Sequence, residues 1–288
     1  MKKNNNVPFL LRAMQWWYPK LERWAPPIAE GLFRLVFYVP LKYRVPDKEK
    51  EAAKTANLST LNAATKTIQL YNWGDPSLPY ILFVHGWAGR ATQFRKFVQP
   101  LIKAGYSVLG FDGPAHGKSS GRKTSILEFE MVLKKIFEER GSPFAVITHS
   151  FGGAAVLFSM MNGLPVKKLI NIATPSIGDE ILKTYLRAIN GSWISAERFK
   201  PFVKRTSGRD FNEYTVLYTL THLPGPIKLL VVQDDDDQDV YALHADAALQ
   251  VYPQAQIFRT KGLGHTRILK DESVIHRCVD FLQENCFL

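Results

Sequence analysis

A serine in a glycine-rich turn is the strongest chemical feature of the sequence. Ser150 follows an apolar run at residues 144–148, and Gly152 and Gly153 come directly after it. A serine hydroxyl becomes a nucleophile when a neighbouring base removes its proton. In a tight turn between a strand and a helix the serine is exposed for that reaction, and small neighbours let the two backbones approach. The pattern therefore predicts Ser150 as a catalytic nucleophile.

Two later segments supply a candidate base and a candidate acid. His265 stands in a glycine turn just past an apolar run at residues 255–260. Another apolar run ends in a cluster of aspartates, namely Asp234, Asp235, Asp236, Asp237 and Asp239. A histidine that is oriented by a carboxylate can take the proton from a serine, so one acid of this cluster is expected to orient His265. The spacing of a calcium-binding loop is missing from the cluster, and no metal site is predicted.

The turn His85-Gly86-Trp87 follows a third apolar run. A turn at this place can aim a backbone N–H at the nucleophile. The N–H groups of Trp87 and Phe151 are the predicted oxyanion-hole donors, which would stabilise the negative oxygen of a tetrahedral intermediate. His85, Gly86 and His149, which flank the two turns, are predicted to contact the substrate.

The elements that would position these residues alternate between strands and helices from residue 65 onward. Seven runs are typical of strands: residues 66–72, 80–86, 106–112, 144–149, 168–173, 227–233 and 255–260. Several runs are apolar on both faces, as in a parallel sheet that is covered by helices on each side. The clearest helical pattern lies at residues 125–139 and begins with Ser125 and Glu128 at the spacing of a capping box. The sequence therefore predicts an α/β fold with an open, mostly parallel sheet.

Two segments fall outside this alternation. Residues 1–64 are predicted to be an N-terminal helical extension of a domain at residues 65–288, and residues 177–225 a helical insertion within it. Because ligands bind beyond the C-terminal ends of such strands, the insertion is placed to act as a lid, and a purely structural role fits the sequence as well. The basic, tryptophan-rich extension is expected to pack against the domain. The alternative is an amphipathic helix that lies on a membrane surface.

Composition limits the classes of partner. The formal net charge is +11, but the basic residues are scattered, with no zinc-finger spacing or RNA-binding motif, so no nucleic-acid partner is expected. The two cysteines, Cys278 and Cys286, fall in one helical pattern, too far apart to form a disulfide, and suit a reducing compartment. The longest early apolar run is too short to span a membrane. A cytoplasmic location is therefore expected.

Taken together, these segments resemble the α/β-hydrolase superfamily from about residue 66 to residue 288. Residues 112–119 are similar to the family's Asp-x-x-Gly-His-Gly-x-Ser segment, with Ala115 in place of a glycine, and Thr148 replaces the first glycine of Gly-x-Ser-x-Gly. The order serine, aspartate, histidine is also the family's order. The resemblance favours Asp237 as the acid, because the family's acid commonly stands in an Asp-x-x-Val sequence.

The resemblance implies a serine hydrolase that cleaves a small-molecule carboxylic ester or thioester through an acyl-enzyme, without a metal or an organic cofactor. Ser150, Asp237 and His265 would form its catalytic triad. The tryptophan after His-Gly and the helical extension are also similar to features of a group of bacterial hydrolases. The alternative is a non-catalytic or membrane-surface-associated binding protein that retains the fold.

Overall fold

The computed structural model describes residues 9–284 of the chain. Its centre is an eight-stranded sheet, which consists of β1 (Asn57–Ala63), β2 (Lys66–Trp73), β3 (Tyr80–Val84), β4 (Ser107–Phe111), β5 (Ala145–His149), β6 (Lys168–Ile172), β7 (Lys228–Asp234) and β8 (Gln256–Thr260). The strands β2 to β8 lie at the seven runs that the sequence predicts. The prediction of the strands is therefore confirmed from β2 onward.

Twelve helices accompany the sheet within residues 9–284. They are α1 (Phe9–Trp24), α2 (Pro26–Tyr38), α3 (Asp47–Lys54), α4 (Arg95–Lys103), α5 (Ile126–Arg140), α6 (Phe151–Met161), α7 (Gly178–Ile189), α8 (Trp193–Ser207), α9 (Val216–Thr221), α10 (Leu243–Val251), α11 (Gly264–Arg267) and α12 (Glu272–Gln283). None of these helices is both long and apolar enough to cross a membrane. Cys278 is buried in α12, whereas Cys286 lies outside the described residues.

The strand order places the candidate residues along one edge of the sheet. The order is β1-β2-β4-β3-β5-β6-β7-β8. The strand β2 is antiparallel to β1 and β4, and every other neighbouring pair is parallel. Because parallel neighbours end at the same edge, the turns that follow β3, β5, β7 and β8 meet there. This is the mostly parallel open sheet that the sequence predicts.

Alternating strand residues bury both faces of the sheet. In β3, Leu82 and Val84 belong to a core shared with α5, α6 and α10, whereas Ile81 and Phe83 belong to a second core with α4 and α12. All four side chains are fully buried. Helices therefore cover the sheet on both sides and leave its C-terminal edge as the place where side chains can meet a ligand.

A third apolar core joins the N-terminal extension to the insertion. The helices α1 and α2 contribute Tyr18 and Phe33, and α7 and α8 contribute Leu182, Leu186 and Phe199. We call these four helices the cap. The expected packing of the extension against the rest of the protein is thus seen for its described part, which excludes the first eight residues.

Two local features differ from the sequence analysis. Residues 57–63, at the end of the predicted helical extension, form the edge strand β1. Only Leu61 and Ala63 of this strand are buried, so it has no apolar pattern, and it forms because a tight hairpin at residues 64–65 pairs it with β2. At α5, the side chain of Ser125 makes no capping bond, and the Glu128 carboxylate pairs with Lys66 at 2.5 Å.

Candidate active site

Ser150 occupies the turn between β5 and α6. Its φ of 51° and ψ of −125° are strained for a residue with a side chain. The Ser150 N–H donates to the carbonyl oxygen of Ile172 at 2.9 Å, which fixes the turn to the end of β6. The residue lines a cavity at the C-terminal edge of the sheet. This is the geometry of a nucleophile elbow.

Close backbone approach explains the glycines around Ser150. A Cβ atom at Gly152 would lie 2.3 Å from the carbonyl oxygen of Val84, and one at Gly86 would lie 2.8 Å from the Cβ of Ser150. Real Cβ atoms essentially never approach another heavy atom this closely. Glycine at both positions therefore lets α6 and the turn after β3 close around the serine.

The structure brings His265 and Asp237 together. The distance from His265 Nδ1 to Asp237 Oδ2 is 2.8 Å. Asp237 is buried, and its Oδ1 accepts hydrogen bonds from the N–H groups of Asp239 at 2.8 Å and Val240 at 2.9 Å. With Nδ1 donating to this fixed carboxylate, Nε2 of the neutral ring is the nitrogen that can accept a proton.

Asp234 holds the loop that carries His265, a role that the sequence analysis missed. Its Oδ2 accepts from the Thr260 hydroxyl at 2.8 Å and the Leu263 N–H at 3.0 Å, and its Oδ1 accepts from the Gly264 N–H at 2.9 Å. Burial raises the pKa of Asp234, but these hydrogen bonds outweigh it and hold the pKa below its usual value. The carboxylate therefore stays charged and anchors β7 to the turn before His265.

Trp87 and Phe151 line the same cavity as Ser150. Phe151 is the first residue of α6, where amides lack partners inside the helix. The turn after β3 is closed by the Gly89 N–H, which donates to Gly86 O at 2.9 Å. Across residues 9–284, neither Trp87 N–H nor Phe151 N–H has a protein acceptor. The two rings lie 5.5 Å apart, edge to face.

Two buried histidines support the turn after β3. His85 Nδ1 donates to Gly86 O at 2.7 Å, and its Nε2 accepts from Gly113 N–H at 2.7 Å. His116 Nε2 accepts from Ala88 N–H at 3.0 Å. Burial lowers the pKa of His85 to about 4 and that of His116 to about 3, so both rings are neutral. His85 is fully buried, and both of its ring nitrogens are engaged in hydrogen bonds.

Gly86 and His149, the other two predicted substrate-binding residues, pack against Ser150 and His265 respectively. His149 Nε2 donates to the carbonyl oxygen of His265 at 2.8 Å. Burial, reinforced by the neighbouring His265, lowers the pKa of His149 well below its usual value. The neutral ring thus supports the backbone of the candidate base, and Gly86 gives room for Ser150.

A cavity of about 400 Å³ lies between the sheet edge and the cap. Ser150 and His265 line it together. Most of its wall is apolar or aromatic and includes Phe37, Tyr38, Trp87, Tyr185 and Phe211. Burial raises the pKa of Tyr185 above its usual value, so its hydroxyl is neutral. The extension supplies part of the wall, because Phe37 and Tyr38 belong to α2.

His244 joins the cavity to the start of the insertion. Its Nδ1 accepts hydrogen bonds from the N–H groups of Ser176 at 2.9 Å and Ile177 at 3.1 Å. Burial lowers the pKa of His244 to about 4. The sequence gives no signal for this role, since a lone histidine in α10 reveals nothing of partners that lie so far away along the chain.

The residues around the candidate base include one group with possible metal ligands. Ligand atoms of Asp237, Asp239 and His265 lie within 4.8 Å of one another. Both oxygens of Asp237 and Nδ1 of His265 are already engaged in the hydrogen bonds described above. The arrangement of these three residues therefore suits the orientation of His265 by Asp237 better than the binding of a cation.

The chain belongs to the alpha/beta hydrolase family, whose family model matches residues 81–277. The match begins in β3 and ends in α12, so it includes all the candidate catalytic residues. The resemblance that the motifs indicated is therefore confirmed.

Individual relatives are more distant. A probable serine hydrolase of Drosophila melanogaster is 28% identical over 113 residues, which cover 37% of this chain and 34% of that protein. The alignment thus spans about a third of the curated relative. A putative lipase from Acinetobacter baumannii is similar in structure, with a TM-score of 0.62, 17% identity, and coverage of 85% of this chain and 98% of that chain. A membrane phospholipase A, described as a bacterial virulence factor, has a TM-score of 0.62 and 15% identity over 96% of this chain and 97% of that chain.

Proposed function

We propose that the protein is a serine hydrolase that cleaves carboxylic esters or thioesters with Ser150, His265 and Asp237 as its catalytic triad. The observation that carries the proposal is the 2.8 Å contact of His265 with the buried Asp237 beside a cavity that Ser150 also lines. The curated relative is a probable serine hydrolase, and the structural relatives named above are a putative lipase and a membrane phospholipase A. These names support the proposed class of reaction.

The mechanism follows from the roles of the three side chains. His265 Nε2 takes the proton of Ser150, whose oxygen attacks the substrate carbonyl and forms a tetrahedral oxyanion. The N–H groups of Trp87 and Phe151 stabilise that oxyanion. The protonated His265 then gives the proton to the leaving alcohol or thiol, which leaves the acyl group on Ser150. Water, deprotonated by His265, releases the acid and restores the enzyme.

The apolar wall of the cavity favours a substrate with an apolar acyl or alcohol group. Aromatic side chains from α2, the turn after β3 and α7 surround the space above Ser150. Burial of each methylene group in such a wall contributes about 0.8 kcal/mol. We therefore expect small-molecule esters with an apolar chain to react faster than the corresponding acetates.

Labelling with a fluorophosphonate tests this proposal, because the probe reacts only with an activated serine. We expect one adduct per chain by intact mass on the wild-type protein and no adduct on Ser150→Ala, which should also lose ester hydrolysis by at least about a thousandfold. Ser159→Ala is the matched control, since Ser159 is buried in α6 and its hydroxyl donates to the Ala155 carbonyl. An adduct that persists in Ser150→Ala, or a folded wild type that never reacts, would contradict the assignment.

A further inference from the structure

The inner face of helix α1 packs against the other helices of the cap. Tyr18 is 1% exposed, and its hydroxyl lies 2.7 Å from that of Ser195 in α8. The other apolar residues on this side, which are partly buried against the same core, are Leu11, Met14 and Leu21. At 3.6 residues per turn these positions share one side of the helix. The inner face therefore attaches α1 to the protein.

The outer face of α1 is aromatic and basic. Trp16, Trp17 and Trp24 are 58%, 53% and 73% exposed. Lys20 lies over the rings of Trp16 and Trp17, and Arg23 is exposed on the same side. Three large side chains of this type on one short helix are unusual for a surface that meets only water.

Charge is segregated between the two faces. The segment from residue 9 to residue 38 contains two glutamates, and both contact the insertion: Glu22 accepts from the hydroxyl of Ser195 at 2.6 Å, and Glu30 pairs with Arg198 at 3.5 Å. The exposed or partly exposed charges on the outer face of α1 are all positive, namely Arg12, Lys20 and Arg23. The outer face is therefore complementary to an anionic surface.

Tryptophan and basic side chains together suit the boundary between water and lipid. An indole ring has an apolar body and a polar N–H, so it is favoured at the level of the phospholipid headgroups. Lys and Arg extend their charges toward anionic headgroups while their stems remain in apolar contact. On the neighbouring helix α2, Ile28 is 58% and Leu35 is 48% exposed.

We propose that the outer face of α1, defined by Trp16, Trp17, Lys20, Arg23 and Trp24, docks the protein on an anionic phospholipid surface. A second copy of the chain is a poorer occupant, because a two-fold contact would place the same positive charges against one another. The docked helix belongs to the cap, so the lipid surface would lie beside the helices that wall the cavity. The proposal does not depend on the catalytic residues.

The test is co-sedimentation of the full-length protein with two kinds of vesicle, phosphatidylcholine alone and phosphatidylcholine with about a third of phosphatidylglycerol. We expect the wild type to bind the anionic vesicles, to bind the neutral ones much more weakly, and to be released by high salt. Ser150→Ala should bind like the wild type, which separates this result from the proposed chemistry. A wild type that stays in the supernatant with both vesicles at low salt would overturn the proposal.

Three variants show whether the outer face is responsible. The triple change Trp16→Ala, Trp17→Ala and Trp24→Ala should abolish binding. Because each basic residue near an anionic membrane contributes about 1 kcal/mol, Lys20→Gln with Arg23→Gln should weaken binding about thirtyfold. The matched control removes two exposed charges from the opposite edge of the sheet, where α4 and α5 end, by Lys103→Gln with Arg140→Gln. It should bind within about twofold of the wild type.

The thermal unfolding midpoint of every variant confirms that the fold is kept. Equal losses in the control and in the outer-face variant would overturn the proposal, because the effect would then be one of total charge. Wild-type binding by the triple tryptophan variant would also overturn it. A third outcome is a wild type that forms a dimer and does not bind vesicles, together with a triple variant that is a monomer. That outcome would show that a second copy of the chain covers this face instead.

Discussion

At the scale of single residues, the five neighbouring aspartates differ sharply in their surroundings. Asp237 is buried and bonded to His265, whereas Asp235 is exposed and pairs with Arg259 at 2.9 Å. The Arg259 side chain also contacts Asp246, so Asp235 belongs to a surface network. Among the five, Asp237 is the one whose carboxylate is hydrogen-bonded to the candidate base.

Replacing that carboxylate should impair catalysis selectively. Asp237→Asn offers an amide to His265 Nδ1 and favours the wrong tautomer of the ring, so we expect kcat for ester hydrolysis to fall by about 10³ to 10⁴ with a smaller change in KM. Asp235→Asn is the matched control and should stay within about twofold, because exposed ion pairs contribute little. Steady-state kinetics of both variants measure the contrast. Equal losses at the two positions would mean that the acid has been misassigned.

The sequence alone pointed to the candidate reactive side chains. It gave little information on the residues that hold those side chains in place. Ser150 and His265 could be proposed because their chemical types recur in a fixed order at strand ends. Thr148, the departure from the glycine pattern, fits because it is buried and its hydroxyl lies 2.7 Å from Asn171 Oδ1. The supporting roles of His85 and Asp234 depend on partners brought close by folding, and local sequence carries no record of those partners.

At the scale of elements, the strands were predictable because burial on both faces leaves continuous apolar runs. The exception, β1, is an edge strand whose first four residues are mostly exposed, so its pairing with β2 leaves little hydrophobic pattern. The insertion was recognisable because it interrupts the alternation of strands and helices. Its attachment to the domain through His244 could not be recognised from the sequence, because that contact joins α10 to the residues just before α7.

The His244 contact should make stability depend on pH. His244 is buried and neutral, its folded pKa of about 4 lies below the unfolded value of about 6.5, and protonation of Nδ1 would break its bonds to Ser176 and Ile177. The unfolded state therefore binds the proton more readily, so this contribution is present above about pH 6.5 and is lost as the pH falls toward 4. At pH 5 this one group should lower the free energy of unfolding by about 2 kcal/mol.

His244→Asn isolates that contribution. The amide oxygen of asparagine can accept the same two N–H groups but does not titrate in this range. Urea unfolding at pH 7 and pH 5 should show a smaller loss of unfolding free energy in the variant than in the wild type, by about 2 kcal/mol. The buried rings of His85 and His116 titrate in both proteins and cancel in the comparison. An unchanged difference between the two pH values would rule out His244 as a contributor.

At the scale of the whole molecule, the extension and the insertion form one structural unit over the site. Both contribute to the third core, and both contribute walls to the cavity. Composition suggested a distinct N-terminal segment, but the choice between packing and membrane contact was open in the sequence. In the structure the two are compatible, because packing uses the inner face of α1 and leaves the tryptophans of the outer face exposed.

The polar link inside the cap is centred on Glu22. Its carboxylate accepts from the Ser192 N–H at 2.9 Å and from the Ser195 hydroxyl at 2.6 Å, and that hydroxyl also lies 2.7 Å from the hydroxyl of Tyr18. Burial raises the pKa of Tyr18 to about 12, so the phenol stays neutral in this network. Loss of the carboxylate would leave donors on α8 without their partner.

Glu22→Ala should therefore release α1 from the insertion more often. An unsatisfied partner of a charged group costs about 2 kcal/mol, so amide hydrogen exchange in α1 should accelerate about thirtyfold, while exchange in β5 stays unchanged. Glu51→Ala is the matched control, because Glu51 pairs with Lys54 on the surface of α3 and should leave exchange in α1 as in the wild type. Hydrogen exchange followed by mass spectrometry measures both peptides in one experiment. Slow exchange of α1 in Glu22→Ala would mean that the apolar core alone attaches the extension to the cap.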